Sequence, residues 1–145
     1  MANSVKLHVI TPDRLFYDGD IEIVIVKTMA GEEGFMANHA WVCKLLDVGK
    51  LWIQEAGSKD FKVAAISGGF IDIMHDIVIY ADSAEWPDEI DKERAMQKQE
   101  VDLNWLAENR NNKNVKPGEM ERIQKSLFKQ KIRMKVAQGG ARRGK

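Results

Sequence analysis

Residues able to do covalent or metal chemistry are few in this 145-residue chain, and they are scattered. Ser67 is followed by Gly68-Gly69 but lacks the G-x-S-x-G elbow that exposes a nucleophile, and no Gly-rich phosphate loop precedes a helix. His8, His39 and His75 lie far apart, with no partner at the i, i+4 spacing that sets two metal ligands on one helix face, so no metal site is expected. Cys43 is the sole cysteine, which excludes an internal disulfide and a thiolate zinc site and fits a reducing compartment. No nucleophile, base and electrophile can be proposed together, so an enzyme is not expected. Ser67-Gly68-Gly69-Phe70 reads instead as a tight turn between strands.

Charge is the remaining chemical resource. Lys and Arg number 22, matched by 22 Asp and Glu, so nothing global favours a polyanionic partner. The distribution is uneven: from Arg122 onward the chain carries Lys125, Lys129, Lys131, Arg133, Lys135, Arg142, Arg143 and Lys145 with no acidic residue. Nucleic acid is not expected as partner, because Trp105 and Phe128 are not interleaved with the late basic cluster as a stacking platform requires. No apolar run is long enough to span a bilayer, and the N-terminus has neither the signal-peptide nor the transit-peptide build.

The elements that must position these groups fall into two periods. From Val5 to about Ala81 short strands are cut by turn residues, the pattern of a sandwich or barrel. Alternation is clearest in Val5 to Val9 and Phe70 to Met74. Strands are predicted at 5–10, 15–17, 21–28, 34–36, 42–46, 50–54, 62–67, 69–74 and 77–81, with turns at Asp18-Gly19-Asp20, Val48-Gly49 and Ser67-Gly68-Gly69 among others. After Trp86-Pro87 good helix formers take over. A first helix is predicted from an N-cap at Asp88 or Asp91 to Asn109, and then a loop rich in Asn. A second helix follows with Pro117 in its first turn and an apolar face of Met120, Ile123, Leu127 and Met134, ending at Gln138-Gly139-Gly140.

Four landmarks in this order carry a resemblance. They are Leu7 to Pro12 with Phe16-Tyr17-Asp18-Gly19; Gly31 to Phe35 through His39-Ala40; Gly68-Gly69-Phe70 leading to Ile79 to Glu85; and Ile90-Asp91-Lys92-Glu93-Arg94-Ala95, similar to an I/L-D-x-x-R-A motif. Together they resemble the epsilon subunit family of bacterial F-type ATP synthases. The resemblance implies a β + α fold: a flattened β-sandwich of about ten strands over residues 1–86, then an antiparallel two-helix hairpin over 87–145. It implies a non-catalytic rotor subunit on the cytoplasmic face of the bacterial membrane, with the gamma subunit, the c ring and the alpha and beta subunits as partners. Glu32 and His39 match positions that meet gamma and the c ring, and Trp41 is an aromatic anchor candidate beside them. The sequence departs from the family in having Ala37-Asn38 where Pro-Gly is usual, and Trp41 and Cys43 where smaller or aliphatic residues are common.

In the family the hairpin folds on the sandwich or opens toward the catalytic head and blocks hydrolysis. Arg122, Lys125, Lys129, Arg133 and Lys135 suit acidic surfaces there, although the same cations serve equally as a solvated helix face. Some members bind ATP on the folded hairpin as a regulatory ligand. The matching residues are Glu85, Ile90, Asp91, Arg94 and Ala95, with Arg122, Lys125 or Lys129 as phosphate partners. Their plain structural roles are an Asp91 helix cap and an Arg94 ion pair with a neighbouring carboxylate. The competing reading is a free-standing nucleotide-sensing module that binds ATP without a tight partner.

Overall fold

The computed structural model of the chain describes residues 3–139. Its strands are β1 (Val5–Ile10), β2 (Leu15–Thr28), β3 (Gly31–Met36), β4 (Val42–Glu55), β5 (Phe61–Ile73), β6 (Ile77–Ala81) and β7 (Ala84–Glu85). A short 3-10 turn at Pro87–Glu89 leads to α1 (Lys92–Asn109) and α2 (Glu119–Ala137). The sheet runs β1-β6-β5-β4-β2-β3, β7 pairs with β5, and β1 also pairs with β2, which closes the sheet on itself. Every pairing is antiparallel except β1 with β6.

The closed sheet is flattened into two layers because three strands are long and change layer part-way. The first half of β2 pairs with β1 and its second half with β3 and β4. Likewise β5 pairs with β4 throughout, with β7 near Ala65 and Ile66, and with β6 from Gly69 onward. One layer is thus β3, the second halves of β2 and β4, the first half of β5, and β7. The other holds β1, β6, the first halves of β2 and β4, and the second half of β5.

This corrects the sequence reading in two respects. The described residues form seven strands, not about ten, and Asp18-Gly19-Asp20, Val48-Gly49 and Ser67-Gly68-Gly69 lie inside continuous strands rather than at reversals. The physical reason is local: the dihedrals that end a strand also bend it. Gly68 and Gly69 take φ of +105° and +124°, and a Cβ on Gly69 would sit 1.9 Å from the Tyr80 carbonyl oxygen. The bend lets β5 cross from one layer to the other while Ser67 and Gly68 stay bonded to Ser83 and Asp82. Ser67 shares a 2.6 Å hydroxyl contact with Ser83, a structural role.

Between the layers lie Leu7, Val9, Ile21, Val24, Val26, Phe35, Leu51, Ile53, Ile71, Ile73, Ile77 and Ile79, all buried. Strand β2 reads Ile21-Glu22-Ile23-Val24-Ile25-Val26, apolar on both faces in its second half, because a second cluster covers its outer side. That cluster joins Ile25, Trp52, Val63 and Ala65 to Ile90 and to Val136 near the end of α2, with Ile23, Phe61 and Ile132 packed against it. The apolar outer face of one layer is the seat of the hairpin.

Asp91 caps α1, its carboxylate accepting the Arg94 backbone N–H at 3.0 Å. Helix α2 departs from expectation at its start: Gly118, in the left-handed region at φ +82°, is the N-cap, and Pro117 lies before the helix. Its buried face also differs. Ile123, Gln130 and Val136 are buried, while Met120, Leu127 and Met134 are only partly so. Two neighbours divide the helix between them, α1 toward its start and the sandwich toward its end, so no single stripe runs its length.

Candidate functional site

The hairpin and the sandwich enclose a cleft of about 820 Å³. From the sandwich side it is lined by Asp13, Arg14, Asp82, Glu85 and Glu89; from the helices by Arg94, Lys98, Lys129, Gln130 and Arg133. Arg94 and Lys98 are one turn apart on α1, as Lys129 and Arg133 are on α2, so each helix aims two cations at the same space. Arg133 is committed: its Nε and Nη2 donate to the two Glu85 carboxylate oxygens at 2.8 and 3.0 Å, and its Nη1 donates to Gln130 at 2.8 Å. Arg14 is similarly forked onto Glu89, at 2.8 Å to each oxygen. Lys98 pairs with Asp102 at 3.2 Å. Among the described residues, Arg94 and Lys129 are in no ion pair, and neither are Asp13 and Asp82 on the opposite wall, so charges of both signs are open to a ligand in the cleft.

Of the sequence candidates for a nucleotide, the structure brings Glu85, Arg94 and Lys129 together on the cleft wall. Ile90 and Ala95 are buried and do not line the cleft, and Asp91 is occupied as the cap. Arg122 pairs with Glu119 at 3.6 Å, and neither it nor Lys125 lines the cleft. Of the cations assigned to the head, Arg133 is turned into the cleft, while Arg122, Lys125 and Lys135 are exposed. Sequence reasoning missed Arg14, Lys98, Gln130 and Glu89. Lys98 was findable, four residues past Arg94; Arg14 was not, since its partner Glu89 is 75 positions away.

The Arg14–Glu89 fork ties the β1–β2 turn to the 3-10 turn below the hairpin. Arg14 first, then the Trp86 N–H at 2.9 Å, holds the Glu89 carboxyl below the ordinary carboxylate range. A depressed folded value means that the stabilisation is complete above the unfolded value of about 4.3 and is lost as pH falls through the lower folded one. Arg14→Gln is therefore expected to move the Glu89 titration upward, read by carbon-detected NMR of its carboxyl. An unmoved titration would show that Arg14 does not hold it.

A second surface lies on the opposite side. The outer face of the layer holding β1 and β6 has no helix over it, and Leu45, Phe70 and Tyr80 align in register across β4, β5 and β6. Leu45 is 70% exposed, and the Phe70 and Tyr80 rings stack at 4.8 Å. At the rim Trp41 is 64% exposed, its ring edge-on to His75 at 5.2 Å.

The other partner candidates sit at one end of the sandwich. Glu32 is exposed on β3 opposite Lys27. His39 is exposed after β3, its ring against Phe35 at 4.9 Å and its Nδ1 donating to the Ala40 carbonyl at 2.6 Å. That bond fixes the proton on Nδ1 in the neutral ring and leaves Nε2 outward as an acceptor. Asn38 takes φ +65°, so the Ala37-Asn38 pair still forms the left-handed turn that glycine would. Glu33, next to Glu32, is drawn inward by Lys44 at 2.5 Å and by the Thr28 hydroxyl.

Among the described residues, no helix is long and apolar enough to cross a membrane, and no group of three His, Cys, Asp or Glu could hold a metal ion.

Known proteins share this architecture. Residues 4–87 match the family model described as ATP synthase, Delta/Epsilon chain, beta-sandwich domain. The ATP synthase epsilon chain of Caldicellulosiruptor bescii is 34% identical over 134 residues, covering 92% of this chain and 93% of the relative. That of Desulforamulus reducens is 35% identical over 139 residues, covering 95% and 100%. Among solved structures, a chain of the Euglena gracilis mitochondrial ATP synthase (OSCP/F1/c-ring in rotational state 1) superposes with a TM-score of 0.74, at 19% identity, over 94% of this chain and 82% of its own, a likeness of fold. The match extends through both helices as well as the sandwich, and on it the chain belongs to the ATP synthase epsilon chain family, a non-catalytic subunit of that complex.

Proposed function

We propose that this subunit works as a two-part rotor element: its sandwich clamps the gamma subunit to the ring of c subunits, so that ion-driven rotation reaches the catalytic head, and its hairpin restrains ATP hydrolysis. The observation that carries the reading is the inequality of the two outer sheet faces. One is covered by α2, while the other presents Leu45, Phe70 and Tyr80 with Trp41 at the rim. A contiguous exposed apolar face rimmed by polar groups is what a protein partner covers. Gamma is assigned to this face, and the end carrying Glu32 and His39 to the c ring. The complex then sits peripherally on the cytoplasmic side of the membrane.

The hairpin is weakly seated, as a switch must be. Of the 18 residues of α1 only Ala95 and Asp102 are buried, and Met96, Val101 and Leu103 are at least half exposed. A difference of a few kcal/mol between seated and open states suffices for control. ATP is the proposed regulatory ligand: Arg94 and Lys129 supply unpaired charge for phosphate oxygens, and carboxylates on the wall can accept from an amino group or hydroxyls. Binding there would hold the hairpin down, since the cleft exists only while hairpin and sandwich touch.

Deleting Asn111 to Lys145 tests the restraint. The truncated subunit should still assemble while ATP hydrolysis by the complex rises several-fold in a steady-state assay; assembly with unchanged hydrolysis would remove the inhibitory role. The competing free sensor is excluded if the tagged chain recovers gamma, alpha and beta subunits from its own membranes at fixed ratios.

A further inference from the structure

The α1–α2 contact buries a charged side chain where a helical hairpin ordinarily buries an apolar one. Asp102 sits within it with its side chain 1% exposed. Its Oδ2 accepts one hydrogen bond across the hairpin, from the Ser126 hydroxyl at 2.8 Å. Its Oδ1 has Lys98 at 3.2 Å as an ion-pair partner but no hydrogen bond of good geometry, and the Lys98 side chain is 48% exposed. An ionised carboxylate has two oxygens and about four acceptor sites. Here it has given up its water for one neutral hydroxyl and one cation that remains half in solvent. Exchange of this kind leaves most of the desolvation cost uncompensated, so that an apolar group of similar volume is commonly the more stable occupant.

Apolar contact offsets only part of that cost, since Ala95 is the only fully buried apolar residue of α1, with Trp105 and Leu106 half-buried. Ile123 and Gln130 are the buried residues of α2 on either side of Ser126, one apolar and one polar. Opening the hairpin returns the Asp102 carboxylate to water. We propose that Asp102 is a built-in destabiliser of the closed hairpin, and that its buried charge sets how readily α1 and α2 separate. The inference rests on the hinged hairpin of the proposed function, but it concerns the equilibrium of the chain itself.

The test is thiol labelling of the full chain carrying Cys43→Ser and Ile123→Cys. Position 123 is 5% exposed, so a neutral thiol reagent reaches it only when the hairpin opens. Against that background Asp102→Leu is expected to slow labelling roughly tenfold or more, and Asp102→Asn, which keeps the shape and the Ser126 bond, to slow it in the same direction. Ser126→Ala, which strips the carboxylate of its hydroxyl donor, should speed it several-fold. Urea midpoints of the sandwich report that each variant is folded. Should Leu misfit the site, the Asn variant decides. If Asp102→Asn labels as fast as the parent or faster, the carboxylate does not destabilise the closed hairpin, and the proposal is overturned. Labelling of the free chain is read independently of ATP hydrolysis, so failure of the inhibitory role would leave this result standing, and the converse holds.

Discussion

Gly69→Ala is expected to be severely destabilising. The position lies in mid-strand at φ +124°, where an L side chain is strained whatever the space around it. Space is also lacking, because the added Cβ would fall 1.9 Å from the Tyr80 carbonyl oxygen and 2.9 Å from the Ala81 Cα. Both are backbone atoms of the neighbouring strand β6, which cannot swing aside as a side chain would. Relief would have to come from separating β5 from β6 at Gly69↔Ala81, beside Ile71 and Ile79 at the centre of the core. Strain and broken pairing together should cost roughly 4 kcal/mol or more, a large share of the roughly 5–15 kcal/mol that holds a typical domain folded. Urea unfolding followed by circular dichroism measures it. A loss under about 1 kcal/mol would mean that the bend can be made by other dihedrals, and the account of β5 as one strand crossing both layers would fall.

Leu45→Glu combined with Phe70→Glu should abolish partner binding while leaving the fold intact. These residues face each other across β4 and β5 on the sheet face without a helix. Charging Leu45 disturbs little in the free chain, since it is 70% exposed. Phe70 is 38% exposed and gives up chiefly its stacking on Tyr80. Against a partner the balance reverses, because two carboxylates would be desolvated at the centre of an apolar interface with no cation provided for them. A loss of at least 100-fold in affinity for the isolated gamma subunit is expected, equivalent to about 2.7 kcal/mol, measurable by calorimetry. An unchanged urea midpoint would certify the fold. Retained affinity would place the gamma contact elsewhere on the molecule and undo the assignment of this face.

Much of the architecture was legible because it is written in local periods. Alternation in Val5 to Val9 marks β1, and the change to helix formers after Trp86-Pro87 marks the hairpin. Asp91 stands where an N-cap must, one residue before α1. The motif around Arg94 pointed to the cleft wall, and the i, i+4 neighbour Lys98 could have been added by the same rule.

What only the folded chain decides is the set of relations between residues remote in sequence. A glycine at positive φ bends a strand or reverses a chain with the same local chemistry, so Gly68-Gly69 signalled a turn and became the layer crossing of β5. Whether Arg133 serves the catalytic head or its own sandwich is not readable from a basic helix face; the bidentate bond to Glu85, 48 residues away, settles how this conformation uses it. Asp102 reads as one more solvated helix charge until α2 is laid across it. The sequence by itself determined where β structure gives way to helix and which family the chain resembles, because those depend on neighbours along the backbone. Tertiary structure decided which charges are buried, which cations stay unpaired and which sheet face is left uncovered, because each of these depends on what packs against it.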